Sequence, residues 1–197
     1  MNAKKIAFAA LTAAAIGFSG ASVAGPIPYP NAGVQNAASY SFTAATTGAV
    51  TAYFYGSTAG YTNELTLLIN GVETGVQGLN NKTSAYGASL VLGYATAGDT
   101  LVFKMINLAP GGVGPWYSDK SLNWDGVNHV YSTDFAGDSV ISAGTFVAFE
   151  DINGGGDFNY NDETFVFTNV ATQVPEPMTL LLTGLGIMGV VASRRKK

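Results

Sequence analysis

The chain has 197 residues, of which 47% are hydrophobic and 11% charged, with 25 glycines, one histidine and no cysteine. The lack of thiols excludes disulfides, a thiolate nucleophile and cysteine-ligated zinc. The formal net charge of −4 averages unlike parts: six of the nine Lys and Arg lie near the two ends, so residues 25–173 keep three lysines (Lys82, Lys104, Lys120) against twelve carboxylates, a formal −9. So acidic a segment is repelled by nucleic acid and by anionic membrane surfaces, which leaves cations and neutral partners such as sugars.

The first elements are an address. Lys4 and Lys5 precede an apolar run over residues 6–18, and Ser22-Val23-Ala24 offers a small-residue cleavage site. This order predicts a secretory signal peptide over 1–24, handled by the secretion machinery and removed by signal peptidase before Gly25. The apolar run is too short for a comfortable membrane span, which needs about 20 residues. Residues 25–36, with Pro26, Pro28 and Pro30, read as an extended N-terminal arm.

From 37 to 173 the hydrophobic period is two, not 3.6. Val50, Ala52 and Phe54 alternate with Thr51, Tyr53 and Tyr55. Leu65, Leu67 and Ile69 alternate with Glu64, Thr66 and Asn70, although Leu68 interrupts the polar face; Leu101, Phe103 and Met105 follow the same rule. Residues 146–149 and 165–167 are apolar on both faces and are expected to be central strands. Residues 38–43, 89–94 and 128–133 are further strand candidates. Asn70-Gly71, Gly98-Asp99, Asp125-Gly126 and Asn153-Gly154 supply turn chemistry between them. Many short strands with Gly-rich turns predict an all-β domain over 37–173, a sandwich or jelly roll.

One segment concentrates chemistry. Glu150, Asp151, Asp157, Asp162 and Glu163 crowd between two apolar strands, around Gly154-Gly155-Gly156. Ca²⁺ takes six to eight oxygen ligands, which Asp, Asn and backbone carbonyls supply. Asp157-x-Asn159-x-Asn161 matches the first three ligand positions of a calcium loop. The match then stops, because Asp162 stands where glycine is needed and Thr168 where a bidentate Glu belongs. The metal reading therefore names Asp157, Asn159, Asn161 and Asp162, supported by Glu150, Asp151 and Glu163. The other reading is a solvated hairpin turn, for which the same residue types are ordinary.

These residues, with the stretch from Ser118-Asp119 through Asn123-x-Asp125-Gly126 to His129, resemble a family of bacterial surface domains of unknown function. The resemblance covers residues 115–170. It implies a β-rich extracellular module and supplies no activity.

Catalytic signals are weak. His129 is the sole histidine, and a hydrogen-bonded position at a strand start explains it better than a role beside Asp119 and Asp125. No nucleophile elbow, zinc-binding helix motif or phosphate loop is present. A glycosidase needs only two carboxylates at the correct separation, but nothing singles out such a pair. No catalytic residue is assigned. Trp116, Tyr117 and Trp124 are candidates for a sugar-stacking platform, set against ordinary core packing.

The C-terminus closes with Val174-Pro175-Glu176-Pro177, an uncharged apolar run over 178–192 and then Arg194-Arg195-Lys196-Lys197. Proline ends the preceding fold, the apolar run reads as a transmembrane helix, and the cations hold its end in the cytoplasm. Fifteen residues at about 1.5 Å each fall short of a hydrocarbon core of about 30 Å, so the anchor is marginal. This order over 174–197 resembles the PEP-CTERM sorting signal of Gram-negative bacteria that make exopolysaccharide. The resemblance implies transient anchoring in the inner membrane, recognition by an exosortase and release to the cell surface or extracellular matrix. The expected function is thus a non-catalytic, exported matrix or biofilm β-domain stabilised by Ca²⁺. The alternatives are a carbohydrate-binding module that holds exopolysaccharide and, less supported, a matrix glycosidase.

Overall fold

The computed structural model describes residues 27–110 and 113–173. The signal peptide and the sorting tail read from the sequence lie outside the described residues. What is described is built from strands and two short 3₁₀ turns. The strands are β1 (Ser41–Ala44), β2 (Gly48–Gly56), β3 (Asn63–Ile69), β4 (Val72–Gly78), β5 (Ser89–Ala95), β6 (Thr100–Asn107), β7 (Trp116–Tyr117), β8 (Val130–Phe135), β9 (Gly144–Phe149), β10 (Glu163–Thr168) and β11 (Val170–Gln173).

They form two antiparallel sheets. One runs β11-β1-β6-β3-β4, with β7 added to β6; the other runs β5-β2-β10-β9-β8. The alternation read along β2 holds: Val50, Ala52 and Phe54 are buried in the core shared by both sheets. From the first sheet Phe42, Leu65, Leu67, Leu101, Phe103 and Met105 enter the same core. Leu68, the break in the polar pattern of β3, lies opposite Val102 of β6, and the two shield each other on the outer face.

The doubly apolar runs are central strands, as their composition requires. Val147, Phe149, Phe165 and Phe167 face the shared core. Phe146, Ala148 and Val166 face outward into a second cluster, completed by Tyr29 of the N-terminal arm and by Tyr160. The arm is therefore packed structure and not merely extended chain. Ile27 and Phe158 pack against the same cluster from the side.

Three strands escaped the periodicity. β4 is Val-Glu-Thr-Gly-Val-Gln-Gly, half polar and an edge strand, joined to β3 by a turn in which Asn70 and Gly71 both have positive φ (49° and 80°). β7 is two residues long. β11 follows β10 after only Asn169, whose φ of 63° turns the chain from one sheet to the other while its Oδ1 accepts from Thr46 N–H at 2.7 Å.

The Phe103 and Phe167 rings, from opposite sheets, stack with centroids 3.8 Å apart. Phe167→Ala is expected to cost about 3–5 kcal/mol, because a fully buried ring leaves a cavity that its neighbours cannot close. Val91→Thr, at an exposed position, should stay within about 0.5 kcal/mol. Urea unfolding midpoints of the two variants check both values.

Candidate functional site: the acidic hairpin

The connection from β9 to β10 is where the carboxylates meet. After Phe149 the chain runs through Glu150 and Asp151 into a 3₁₀ turn at Asn153–Gly155. Gly154, Gly155 and Gly156 all have positive φ (77°, 81° and 56°), as do Phe158 and Tyr160 (both 52°). At Gly155 a side chain would also strike the Phe158 ring, so the glycine run is explained by backbone shape and close approach.

The outer part of the loop is held by its own Asx side chains. Asp157 Oδ1 accepts from Asn159 N–H at 3.3 Å and Oδ2 from Asn159 Nδ2 at 2.7 Å, while Asn159 Oδ1 accepts from Asn161 N–H at 3.0 Å. Thr58 secures the next position, donating its N–H to Asn161 O at 3.0 Å and its hydroxyl to Asn161 Oδ1. Asp162 closes the hairpin: its N–H donates to Phe149 O at 3.1 Å, and its Oδ2 accepts from Asp151 N–H at 2.9 Å.

The inner part is buried. Glu150 is 1% exposed, and its Oε1 accepts from Tyr160 N–H. Burial, with the charges of Asp162 and Asp157 adding to it, pushes its carboxyl up to about 8 despite that hydrogen bond. Asp162 is raised to about 6, first by burial and then by Asp151, against the opposing bond from Asp151 N–H. Asp151 and Glu163 are also buried; Asp151 Oδ2 accepts from Asn63 Nδ2 at 2.8 Å.

The seven residues named for calcium are thus neighbours along one hairpin, and the Asp162 side chain meets those of both Glu150 and Asp151. Asp157 is exposed, Asn159, Asn161 and Asp162 are half-buried, and Glu150, Asp151 and Glu163 face inward. Among the described residues no group of three or more His, Asp or Glu is arranged to hold a metal by itself. Amide and backbone oxygens would have to complete any coordination shell.

His129 stands in a hydrogen-bonded position just before β8, as the sequence reading preferred, but that it clamps the hairpin was not read. His129 is fully buried, its Nδ1 2.9 Å from Glu150 O and its Nε2 2.9 Å from Asp125 Oδ2. The same Asp125 oxygen accepts from Gly154 N–H at 2.9 Å. Burial alone would raise the Asp125 carboxyl, but the Gly154, Val127 and His129 donors outweigh it and hold it below the usual carboxylate range. Asp119, grouped with His129 in the catalytic reading, instead caps a 3₁₀ turn by accepting from Ser121 N–H at 2.9 Å. From the other side, the Tyr160 hydroxyl donates to Asn128 O at 3.1 Å and accepts from Asn36 N–H at 3.0 Å. Gly33 N–H of the arm donates to Phe158 O at 3.3 Å. Only the Asp125–His129 spacing left a trace in the sequence; Glu150 and Gly154 stand 21 and 29 residues from the groups they bond, and the other partners lie further off.

The aromatic platform is corrected. Trp116 is fully buried, stacked on His129 with centroids 3.8 Å apart and on Trp124 at 5.8 Å. Tyr117 is half-buried with Lys104 Nζ 5.8 Å above its ring, which leaves Trp124 as the exposed member. A concave aromatic surface lies elsewhere. A cavity of about 490 Å³ beside the hairpin is lined by Tyr29, Tyr55, Tyr86, Phe146, Asn159 and Asn161, among others.

The fold and the hairpin together define an all-β sandwich domain with an acidic, Gly-rich connection before its last strands, and comparison with known proteins gives that domain a family. Residues 58–169 match the family described as a domain of unknown function (DUF4114), and the chain belongs to that family. Residues 173–196 carry the PEP-CTERM protein-sorting motif, the mark of an exported, exosortase-sorted protein of a Gram-negative bacterium. No curated protein and no solved structure matches the chain significantly.

The raised carboxyls set a pH dependence. Free Glu and Asp titrate near about 4.3 and 3.9, whereas Glu150 and Asp162 in the folded protein titrate at about 8 and 6. Between these limits the folded state binds more protons than the unfolded, so stability falls as pH rises. In calcium-free buffer the melting temperature should drop steadily from pH 5 to pH 8. Glu150→Gln, which still accepts from Tyr160 N–H, should flatten the upper part of that slope. A melting series across pH on both proteins checks the sign.

Proposed function

We propose that the chain is a non-catalytic module of the cell surface or exopolysaccharide matrix, delivered by exosortase processing and stabilised by calcium at its acidic hairpin. The observation that carries the reading is the sorting motif directly after the last strand of the sandwich. The non-catalytic part rests on how the reactive groups are used. His129 is sealed from solvent with both ring nitrogens against oxygen acceptors, and Glu150 and Asp151 are buried and spent on internal donors. The calcium part rests on carboxylates gathered in poor contact with water, where a divalent cation relieves both their repulsion and their desolvation.

A second reading, binding of a neutral matrix sugar, is favoured by the tyrosine-lined cavity. Its rim carries Ser57, Thr58, Asn159 and Asn161, which hydrogen-bond hydroxyls, and its floor carries rings on which sugar faces stack. Two of those rim residues belong to the candidate calcium loop, so a cation that orders the loop also orders the cavity wall. Glycan-array binding that weakens in Tyr55→Ala separates this reading from a purely structural role.

Two outcomes test the main reading. The protein recovered outside the cell should begin at Gly25 and lack residues 178–197, which intact-mass measurement decides; released protein that keeps the basic tail overturns the exosortase route. Millimolar calcium, at constant ionic strength, should raise the melting temperature of that protein and chelator should reverse it. A native-state ligand at a hundred times its Kd adds about 2.7 kcal/mol. Magnesium should do little, since it resists dehydration, and Asp157→Ala should lose the part of the calcium effect that comes from the outer loop.

A further inference from the structure

The hairpin has an inner side, to which the loop reading gives only a supporting part. Glu163 opens β10 on the row that continues as Phe165 and Phe167, so its side chain enters the space between the sheets, where it is fully buried. Neither of its carboxylate oxygens has a hydrogen-bond partner among the described residues. Asn63, the first residue of β3 in the opposing sheet, is equally buried. Asn81 pins its backbone on both sides, accepting from Asn63 N–H at 2.8 Å and donating its own N–H to Asn63 O at 3.2 Å. The Asn63 Nδ2 donates to Asp151 Oδ2 at 2.8 Å. A carboxylate only accepts, so this bond fixes which way the amide faces and turns Oδ1 aside, where it too is unpartnered. Asp151 is the shared neighbour, for its charge also bears on Glu163.

Three buried oxygens of Glu163 and Asn63 therefore lack donors in a place that water does not reach. Burial first, then Asp151, Glu64 and Asp162, push the Glu163 carboxyl well above the usual range. Protonation removes the charge, but the single O–H it adds serves only one acceptor and leaves the second Glu163 oxygen bare. Lys82 is the one cation that bears on Glu163; its Nζ donates to Ala59 O, and it forms no ion pair with Glu163 among the described residues. A hard cation satisfies all three oxygens at once, which no donor group of the described chain does.

We propose that a divalent cation with calcium's preference for oxygen ligands is held between Glu163, Asp151 and Asn63, at a site separate from the outer loop of Asp157 and Asn159. Glu163 and Asp151 supply charge, Asn63 Oδ1 a neutral oxygen, and water the remainder of a shell of six to eight. The cation ties β3 of one sheet to the β9–β10 hairpin of the other. The proposal deepens the calcium reading of the hairpin, yet it does not require the outer loop to bind.

Calorimetric titration of the exported protein with Ca²⁺, at constant ionic strength, distinguishes the two. The wild type is expected to bind two equivalents, Glu163→Gln to lose one and Asp157→Ala to lose the other, each variant keeping the wild-type circular dichroism spectrum. Asn63→Asp adds a third carboxylate and should tighten the inner site about tenfold, an effect that a merely structural Asn63 would not give. One equivalent lost in Glu163→Gln but kept in Asp157→Ala supports the inner site and removes the outer one. One equivalent lost in Asp157→Ala and untouched by Glu163→Gln and Asn63→Asp overturns the inner site and leaves the loop reading intact. One equivalent abolished by either change means a single shared site and overturns the separation. No calcium binding overturns both.

Discussion

The carboxylate of Glu150, buried against the backbone N–H of Tyr160, is the constraint from which the rest of this molecule follows. Its ionised form is poorly solvated and repels Asp157 and Asp162, which is why the carboxyl is pushed up to about 8, and the chain around it must be held from elsewhere. The forces are visible. His129 and Asp125 grip the hairpin on one side, the Tyr160 hydroxyl and Asn36 on the other, and Thr58 and Ser57 from the neighbouring strand end. The bonds of His129, Tyr160 and Asn36 go to buried groups that would otherwise be stranded without water, where leaving them unmade is costly.

That network occupies the place that disulfides take in many exported domains. With no cysteine, the sandwich relies on a large shared core and on long-range polar clamps. The second apolar cluster extends the same strategy. Tyr29 stacks edge-on against Tyr160 at 4.8 Å and against Tyr131 at 5.1 Å, so the N-terminal arm is fastened to the hairpin by rings as well as by hydrogen bonds. An arm so placed makes Tyr29, Gly33 and Asn36 part of the site and not an appendage.

Legibility followed burial. The strands with one clean apolar face, such as β2 and β6, and those apolar on both faces, β9 and β10, could be read because hydrophobic period maps directly onto a sheet facing a core. Polar β4 and two-residue β7 could not, because pairing with a neighbour, and not side-chain pattern, makes them strands. The site divided in the same way. Asp157, Asn159 and Asn161 announce a loop that their side chains stabilise locally. Asn63 carries no local signal at all, since its importance comes from Asp151, 88 residues away. Trp116 misled for a related reason: aromatic type does not tell a sugar platform from a buried stack, and its partner His129 is likewise invisible until the fold closes.

The pairing of β1 with β11 also orders events in time. Phe42 lies opposite Thr172 and Ser41 opposite Gln173, so the first strand of the domain finds one of its two partners only in the last. Non-local pairing of this kind slows folding, because a long loop must close before any contact rewards it. The first sheet therefore cannot be completed until residue 173 is free to pair with Ser41. The sorting motif begins at that same residue. Without β11 the first strand keeps only β6 as a partner and presents an open edge, ready to pair with another copy.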